Sequence, residues 1–202
     1  MKVCHRLLYN CPDHYDDALE ITFRTVASYS HEIIRTVHSI LLESEKYDLI
    51  FVDPFHTYRA GLTDLLGAFC ILKPDGIIVV HDCNPRDPDI VQPVFQEGLW
   101  CGVTYEAFID FALAESHSAY CTVDTDHGCG VVFKNSHNAP AELRETLISD
   151  RIRLEWTLLK SEDQSRFHFF DTHRKQLLNL IAPDRFKALI GESDPASGST
   201  VS

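Results

Sequence analysis

The sequence predicts an α/β fold, and three consecutive segments in the middle of the chain carry that prediction. A short apolar run over 47–52 ends abruptly at Asp53, which is typical of a strand buried on both faces. From Thr57 the apolar residues recur at helical spacing. A Pro-Asp-Gly turn at 74–76 then leads into a second buried strand, 77–80. Strand, helix and strand form a βαβ unit, which is right-handed in nearly all proteins.

Polar residues follow both strands of this unit. Asp53 ends the first strand, His56 comes shortly after it, and His81 and Asp82 end the second. Because the two strands are parallel, their carboxyl ends lie at the same edge of the sheet. Open α/β sheets bind their ligands at that edge. We therefore expect these four side chains to gather there.

Composition narrows the class of protein. The chain has 202 residues, enough for one domain with a substantial core, predicted over 1–190. A net charge of −12 argues against binding to nucleic acid, which relies on clustered lysine and arginine. No apolar run reaches membrane-spanning length and no signal peptide is evident. The seven cysteines form no CxxC pair and indicate reduced thiols in a cytoplasmic protein.

The flanking segments complete the expected fold. Before the central unit we predict a strand over 21–26 and a helix over 31–42, with Ser28 or Ser30 as the candidate helix cap. After it we predict a proline-containing surface loop, a helix over 100–114 and a β-hairpin over 118–134. Amphipathic helices should follow, one holding Leu143, Leu147 and Ile148, and others over 167–180 and 183–190. The polar tail, 191–202, is predicted to be disordered.

Several other side chains have structural explanations. Trp100, Tyr105 and Phe108 fall at helical spacing, which favours packing in the core. Asp126 and His127 fall in the predicted hairpin turn and are interpreted as structural. Arg174 and its histidine neighbours fall on a C-terminal helix and are expected on a solvated or interface face.

These segments together resemble a known family. The stretches YDLIFVDPFHTY, ILKPDGIIVVHDCNP and VDTDHGCGVV resemble class I S-adenosylmethionine-dependent methyltransferases. More narrowly, they resemble the bacterial group described as methyltransferase domain 24, which is related to cephalosporin-hydroxylase-like and rhamnosyl O-methyltransferases. The resemblance implies a Rossmann-like, doubly wound, mostly parallel sheet that ends in an antiparallel hairpin strand, with C-terminal helices.

The N-terminal part departs from this family. The family has a first strand, a glycine-rich turn and a helix, because a Cβ in that turn would block approach to the cofactor. Here the first glycine is Gly61, so the family's first strand, turn and helix are expected to be missing, as in an N-terminally truncated domain. The strand over 47–53 would then have a bare edge. We predict that residues 1–9, or a second subunit in a homo-oligomer, cover it.

The resemblance also suggests roles for the site residues. As in catechol-type methyltransferases, Asp53 and Asp82 would share a divalent cation such as Mg²⁺, with Asn84 as a third ligand. In that family asparagine follows the second aspartate directly, whereas here Cys83 intervenes. His56 or His81 would take the acceptor's proton, although each is also explained as an ordinary helix-end or strand-end histidine. Asp53 and Ser28 would lie on the cofactor side.

Two functions remain open at this point, and a third, a metal-dependent hydrolase that uses the same carboxylates, has no positive support in the sequence. The first is an S-adenosylmethionine-dependent methyltransferase that O-methylates a small hydroxylated molecule. The second is a degenerate or truncated methyltransferase-like protein that neither binds the cofactor nor catalyses the reaction. The strand-end Asp and His set favours the first, and the absent glycine turn favours the second.

Overall fold

The centre of the protein, seen in a computed structural model, is a mixed β-sheet. The structure describes residues 3–8, 24–26 and 47–191, with side chains from residue 47 onward. The strands in these ranges are β1 Val3–Leu8, β2 Arg24–Val26, β3 Tyr47–Asp53, β4 Leu72–Val80, β5 Ala119–Val123, β6 Cys129–Phe133 and β7 Leu180–Ile181. The helices are α1 Tyr58–Ile71, α2 Thr104–Ala114, α3 Asp150–Leu158, α4 Gln164–Leu177 and α5 Pro183–Ile190.

The strand order confirms the predicted fold class. The described strands lie in the order β2-β1-β3-β4-β6-β5-β7. Neighbours are parallel from β2 to β4, and β7 is parallel to β5. β6 is antiparallel to both β4 and β5 and lies between them. A mostly parallel sheet with one inserted hairpin strand is consistent with the Rossmann-like architecture.

The slot beside β3 is occupied by the N-terminal segment. β1 pairs with β3 in parallel, with Leu8 opposite Asp53, and β2 pairs with the other side of β1. The prediction that residues 1–9 cover this edge is therefore confirmed. β3 consequently has a strand on each side, and its backbone hydrogen-bonding groups are paired within the sheet.

Helix α1 begins where the sequence predicts. The Thr57 hydroxyl accepts a hydrogen bond from the Ala60 amide at 3.4 Å and caps the first turn. Leu65 and Ala68 are fully buried on the helix face that points into the protein. At Gly61 an added Cβ would press on the Ala107 side chain of α2, so the glycine permits close helix packing.

The second strand begins earlier than predicted. The sequence places a turn at 74–76 and a strand from Ile77, whereas β4 extends from Leu72. Leu72 is buried and pairs with Tyr47, and regular pairing resumes only where Leu49 faces Ile77. The Pro-Asp-Gly residues therefore form an irregularity inside the strand and do not precede it.

One predicted C-terminal helix is wrong. Around Leu143 the chain forms only a short 3₁₀ turn, Ala141–Leu143, and the next helix, α3, begins at Asp150. The reason is that the Leu147 amide donates to the Asn179 side chain at 2.7 Å, a contact outside any helix. Local apolar spacing could not reveal this partner, which is distant along the chain.

The last two helices are close to their predicted positions. α4 ends at Leu177, short of the predicted end, because Leu180 joins the sheet opposite Thr122. α5 matches the predicted helix and ends at Gly191, whose φ of 84° suits glycine.

A buried ion-pair network ties α4 to α2. Arg166 on α4 donates to Glu106 at 3.3 Å and to Asp110 at 2.5 Å, both on α2. Its guanidinium also lies 4.0 Å from the ring centre of Trp156 on α3. Burial raises the pKa of Glu106 to about 7, although the Arg166 charge and the Glu162 amide oppose that rise.

Several predictions lie wholly or partly outside the described residues. They are the helix over 31–42, the start of the strand over 21–26, the role of Ser28 and the tail. The five cysteines whose side chains are described, at positions 70, 83, 101, 121 and 129, are free thiols, as expected. None of the helices in the described part of the chain is long and apolar enough to cross a membrane.

Candidate active site

The ends of β3 and β4 meet at one edge of the sheet, as predicted. Val52 pairs with Val80 in parallel register, and the His81 amide donates to the Val52 carbonyl at 3.0 Å. Asp53 and His81, the residues that follow this pair, therefore lie next to each other at the edge of the sheet. This brings the polar groups that follow the two strands into one cluster.

Three of these residues form a group that could hold a cation. One ligand atom each from Asp53, His81 and Asp82 lies within 4.8 Å of the others. His81 Nδ1 is 3.7 Å from Asp53 Oδ1 and 3.4 Å from Asp82 Oδ2. The two carboxylate oxygens suit a divalent cation such as Mg²⁺ or Mn²⁺, whereas an imidazole nitrogen is a commoner ligand of transition metals. The two carboxylates therefore fit the metal that the sequence suggests, and His81 widens the range of cations that the group could hold.

The backbone at Asp82 is unusual. Its φ is 59°, in the left-handed region that few residues other than glycine, asparagine and aspartate adopt. The following Cys83 and Asn84 amides donate to the carbonyls of Gly128 and His127, at 2.9 and 2.5 Å. The hairpin turn therefore fixes the chain just after β4. This turn directs the buried Asp82 carboxylate toward the cluster.

Glycines allow the surrounding segments to approach closely. Gly128 has a φ of 90°, and an added Cβ would collide with the backbone of Asn84. Gly102 has a φ of 54°, and an added Cβ would collide with the His56 carbonyl. Both positions require glycine because the backbone of another segment lies in direct contact with them, where a Cβ would otherwise be.

His56 lies beside the two carboxylates and has a defined tautomer. Its Nδ1 donates to the Trp100 carbonyl at 2.6 Å, because a carbonyl can only accept. Its Nε2 is 3.2 Å from Asp82 and 3.6 Å from Asp53. Burial lowers the pKa of His56, but the hydrogen bond to Asp53, the Asp82 charge and the Trp100 carbonyl outweigh it, so the pKa is raised.

The charges of His81 and Asp82 stabilise each other. The hydrogen bond from His81 to Asp82 is the largest cause that raises the pKa of His81 to about 9, with further contributions from Asp126 and Asp53. Burial would raise the pKa of Asp82, but His81 and His56 together hold it below its usual value. Without a cation the cluster is therefore an ion-pair network at neutral pH.

Asn84 lies outside this cluster, although the sequence suggests it as a metal ligand. Its amide nitrogen donates to Asp124 at 3.0 Å, and its oxygen accepts from Arg174. Arg174 also donates to the Pro85 carbonyl at 2.7 Å and packs on Phe170. Asn84 therefore links α4 to the hairpin. His81 takes the place in the cluster that the sequence suggests for Asn84.

Sequence reasoning missed several residues of this region. Arg174 was expected on a solvated or interface face of its helix, yet its contacts with Asn84 hold the chain after β4. Asp126 was interpreted as structural, yet it hydrogen-bonds His81 at 3.1 Å. Trp100 precedes α2 and so is not part of its apolar stripe, but it is buried as predicted, as are Tyr105 and Phe108. The concentration of polar residues in the DTDHG turn, 124–128, was the sequence feature that could have indicated a role for Asp126 in the site.

The cluster opens into a cleft of about 500 Å³. The polar residues of its lining include Asp53, His56, His81 and Asp82. The apolar residues of its lining include Phe55, Phe95, Leu99 and Trp100. A cleft of this volume accommodates a small molecule next to the polar cluster.

Comparison with known families assigns the segment that contains the cluster. A family described as "Methyltransferase domain" matches residues 8–83. The match supports a class I methyltransferase domain in this segment, which is less than half of the chain. The match includes Asp53, His56, His81 and Asp82, and it confirms the predicted resemblance at the level of the domain. A search of curated proteins found no match.

The methyltransferase match implies S-adenosylmethionine as the methyl donor. In such sheets the cofactor lies at the carboxyl ends of the parallel strands. Leu8 faces Asp53 in the register, so β1 ends at the same edge as the cluster. The segment that follows β1, residues 9–23, contains no glycine and lies outside the described residues.

Proposed function

We propose that the protein is an S-adenosylmethionine-dependent methyltransferase that O-methylates a small hydroxylated molecule. The observation that carries the proposal is the cluster of Asp53, His81 and Asp82, with His56 beside it, at the edge where β1, β3 and β4 end. S-adenosylmethionine supplies the methyl group, and a divalent cation would lower the pKa of an acceptor hydroxyl.

The metal ligands in this proposal are Asp53, Asp82 and His81. His56 is the proposed general base. Because the Trp100 carbonyl keeps a proton on Nδ1, a neutral His56 presents Nε2 as its basic atom toward the cleft. His56 Nε2 would accept the hydroxyl proton of the acceptor, whose oxygen would take the methyl group that bound S-adenosylmethionine supplies. Asp53 and Asp82 stabilise the imidazolium that forms.

Titration of the full chain with S-adenosylhomocysteine by calorimetry tests cofactor binding. We expect saturable binding. No binding at millimolar ligand would overturn the proposal and favour a degenerate methyltransferase-like protein. The absence of a glycine before Gly61 is the observation that makes this second function worth testing.

Titration with MgCl₂ tests the proposed metal site separately. Asp82→Asn removes the charge but keeps a residue that tolerates the left-handed backbone. We expect this variant to lose the magnesium binding of the wild type. Glu155→Gln, which removes an exposed carboxylate on α3, should bind as the wild type does. Equal binding by Asp82→Asn and wild type would exclude this metal site.

A further inference from the structure

The His81 ring has carboxylate partners at both of its nitrogens. Nδ1 faces the polar cluster, 3.4 Å from Asp82 Oδ2 and 3.7 Å from Asp53 Oδ1. Nε2 is 3.1 Å from Oδ2 of Asp126, which belongs to the turn between β5 and β6. Asp126 therefore contacts the ring from outside the group that could hold a cation.

The two ring nitrogens have different roles when His81 binds a cation. A neutral imidazole carries one proton, and only the nitrogen without that proton can bind a metal. A cation shared with Asp53 and Asp82 would bind Nδ1, which leaves the proton on Nε2. An ionised carboxylate can only accept a hydrogen bond, so Asp126 is placed to accept this one.

Folding stability does not explain the position of Asp126. Its side chain is 74% exposed, and an exposed ion pair contributes little to the free energy of folding. Its backbone adds a cost, because Asp126 and the following His127 have φ angles of 43° and 58°, in the left-handed region. Residues that are held in such conformations are found disproportionately at functional sites.

The turn that carries Asp126 is fixed against the chain that follows β4. The amides of Cys83 and Asn84 donate to the carbonyls of Gly128 and His127, at 2.9 and 2.5 Å. These bonds hold the turn beside the end of β4. The Asp126 carboxylate therefore has a defined position relative to the imidazole ring, as a group that orients another one requires.

We propose that Asp126 is a positioning residue, which accepts the Nε2 proton of His81 and so orients Nδ1 toward a divalent cation shared with Asp53 and Asp82. This inference rests on the proposed function and deepens its metal site. Metal-binding histidines commonly donate their other ring N–H to a carboxylate or a carbonyl, and mutation of that partner typically lowers metal affinity about 10- to 100-fold.

Calorimetric titration of the full chain with MnCl₂ tests the inference. Mn²⁺ is a first-row transition-metal ion that also suits carboxylate ligands. Asp126→Gly removes the carboxylate but keeps the left-handed backbone, which glycine adopts readily. We expect this substitution to raise the dissociation constant about tenfold. Asp126→Asn retains an oxygen that can accept from Nε2 and should recover part of the lost affinity.

The same titration in a His81→Asn background distinguishes positioning from a general structural or electrostatic role. His81→Asn keeps both cluster carboxylates, so weaker Mn²⁺ binding should remain measurable. Because Asp126 acts through His81 in the proposal, Asp126→Gly should not weaken binding further in this background. Glu162→Gly is the matched control and should bind Mn²⁺ as the wild type does, since Glu162 is also exposed and left-handed, with a φ of 63°, but lies outside the cluster.

The outcomes separate this inference from the proposed function. Equal Mn²⁺ binding by Asp126→Gly and wild type would overturn the inference alone. So would equal losses in Asp126→Gly and Asp126→Asn, or a further loss from Asp126→Gly in the His81→Asn background. No Mn²⁺ binding by the wild type would overturn the proposed metal site and this inference together. The titration needs no methyl donor, so it is independent of the S-adenosylhomocysteine test.

Discussion

At the scale of single residues, a proton and the proposed cation compete for the same atom, Nδ1 of His81, which faces Asp53 and Asp82. The pKa of His81 is raised to about 9, chiefly by Asp82, so His81 is charged at pH 7. We expect magnesium to displace about one proton at pH 7 and to bind more tightly at pH 9.5, where His81 has already lost it. Calorimetry in buffers of different ionisation enthalpy counts the released protons.

The matched control for this prediction is a histidine outside the cluster. His81→Asn should reduce the number of protons released, whereas His137→Asn, at an exposed position, should not. Magnesium binding to the wild type with no proton release at pH 7 would contradict the assignment of His81 as a ligand.

Asp64 is a second residue whose charge state affects the protein. It is buried on α1, and one carboxylate oxygen has no hydrogen-bond partner. Burial raises its pKa to about 7. The folded state therefore holds a proton that the unfolded state loses near pH 4, and stability falls as the pH rises from about 4 to 7.

We expect Asp64→Asn to remove this loss of stability. At pH 8.5 the variant should be more stable than the wild type by about 2 kcal/mol, with little difference at pH 4, because asparagine never becomes charged. Urea unfolding at the two pH values measures the effect. Glu145→Gln, at an exposed position, should differ from the wild type in stability by the same small amount at both pH values. If Asp64→Asn also changed the free energy of unfolding equally at pH 4 and pH 8.5, the mechanism would be contradicted.

The sequence identified residues whose position follows from a strand end. Asp53, His81 and Asp82 could be placed because the end of an apolar run marks the end of a buried strand. Neighbouring parallel strands end at the same edge of the sheet, so the residues that follow them lie close together. Arg174 and Asp126 could not, because their partners are distant along the chain and are brought close only by the packing of α4 and the hairpin. A pattern of local spacing contains no information on such contacts.

At the scale of secondary-structure elements, Arg166 is the main polar link between α4 and α2. We expect Arg166→Ala to lower the free energy of unfolding by about 3–5 kcal/mol, because Glu106 and Asp110 would lose their buried partner. Urea unfolding at pH 7 measures this loss. Arg151→Ala breaks an exposed pair with Glu155 on α3 and should cost about 0.5 kcal/mol or less. Equal effects of the two substitutions would contradict the prediction.

Elements with strong local signals were predictable and those without were not. β3, α1 and the β5–β6 hairpin follow from apolar runs, helical spacing and turn residues. The false helix around Leu147 arose because its apolar spacing is helical while its backbone amide bonds to Asn179. Similarly, the predicted Pro-Asp-Gly turn lies inside β4, because Leu72, which precedes it, already pairs with Tyr47.

At the scale of the whole molecule, stability should be highest at the centre of the sheet. β3 and β4 each have a strand on both sides, and Ile50, Val52, Ile78 and Val80 are fully buried. We expect their amides to exchange with deuterium most slowly, at rates set by global unfolding, and the amides of 92–99 to exchange fastest. Hydrogen-exchange mass spectrometry checks this order. Equal protection of the two regions would contradict it.

The candidate site is assembled from two parts of the chain. The methyltransferase match ends at residue 83, just after the polar residues that follow β4. Trp100, Asp126 and Arg174, which fix or extend the site, come from later elements. The residues proposed for the reaction therefore lie in the matched segment, whereas residues from the segment that follows complete the lining of the cleft.

The left-handed backbone at position 82 limits which amino acids can replace Asp82. Most side chains would strain the main chain there, while asparagine and glycine would not. Mutations that preserve the fold at this position would therefore be concentrated in those two residues, and both eliminate the negative charge. Under the proposed function, loss of activity without loss of structure would consequently take a single substitution at this position.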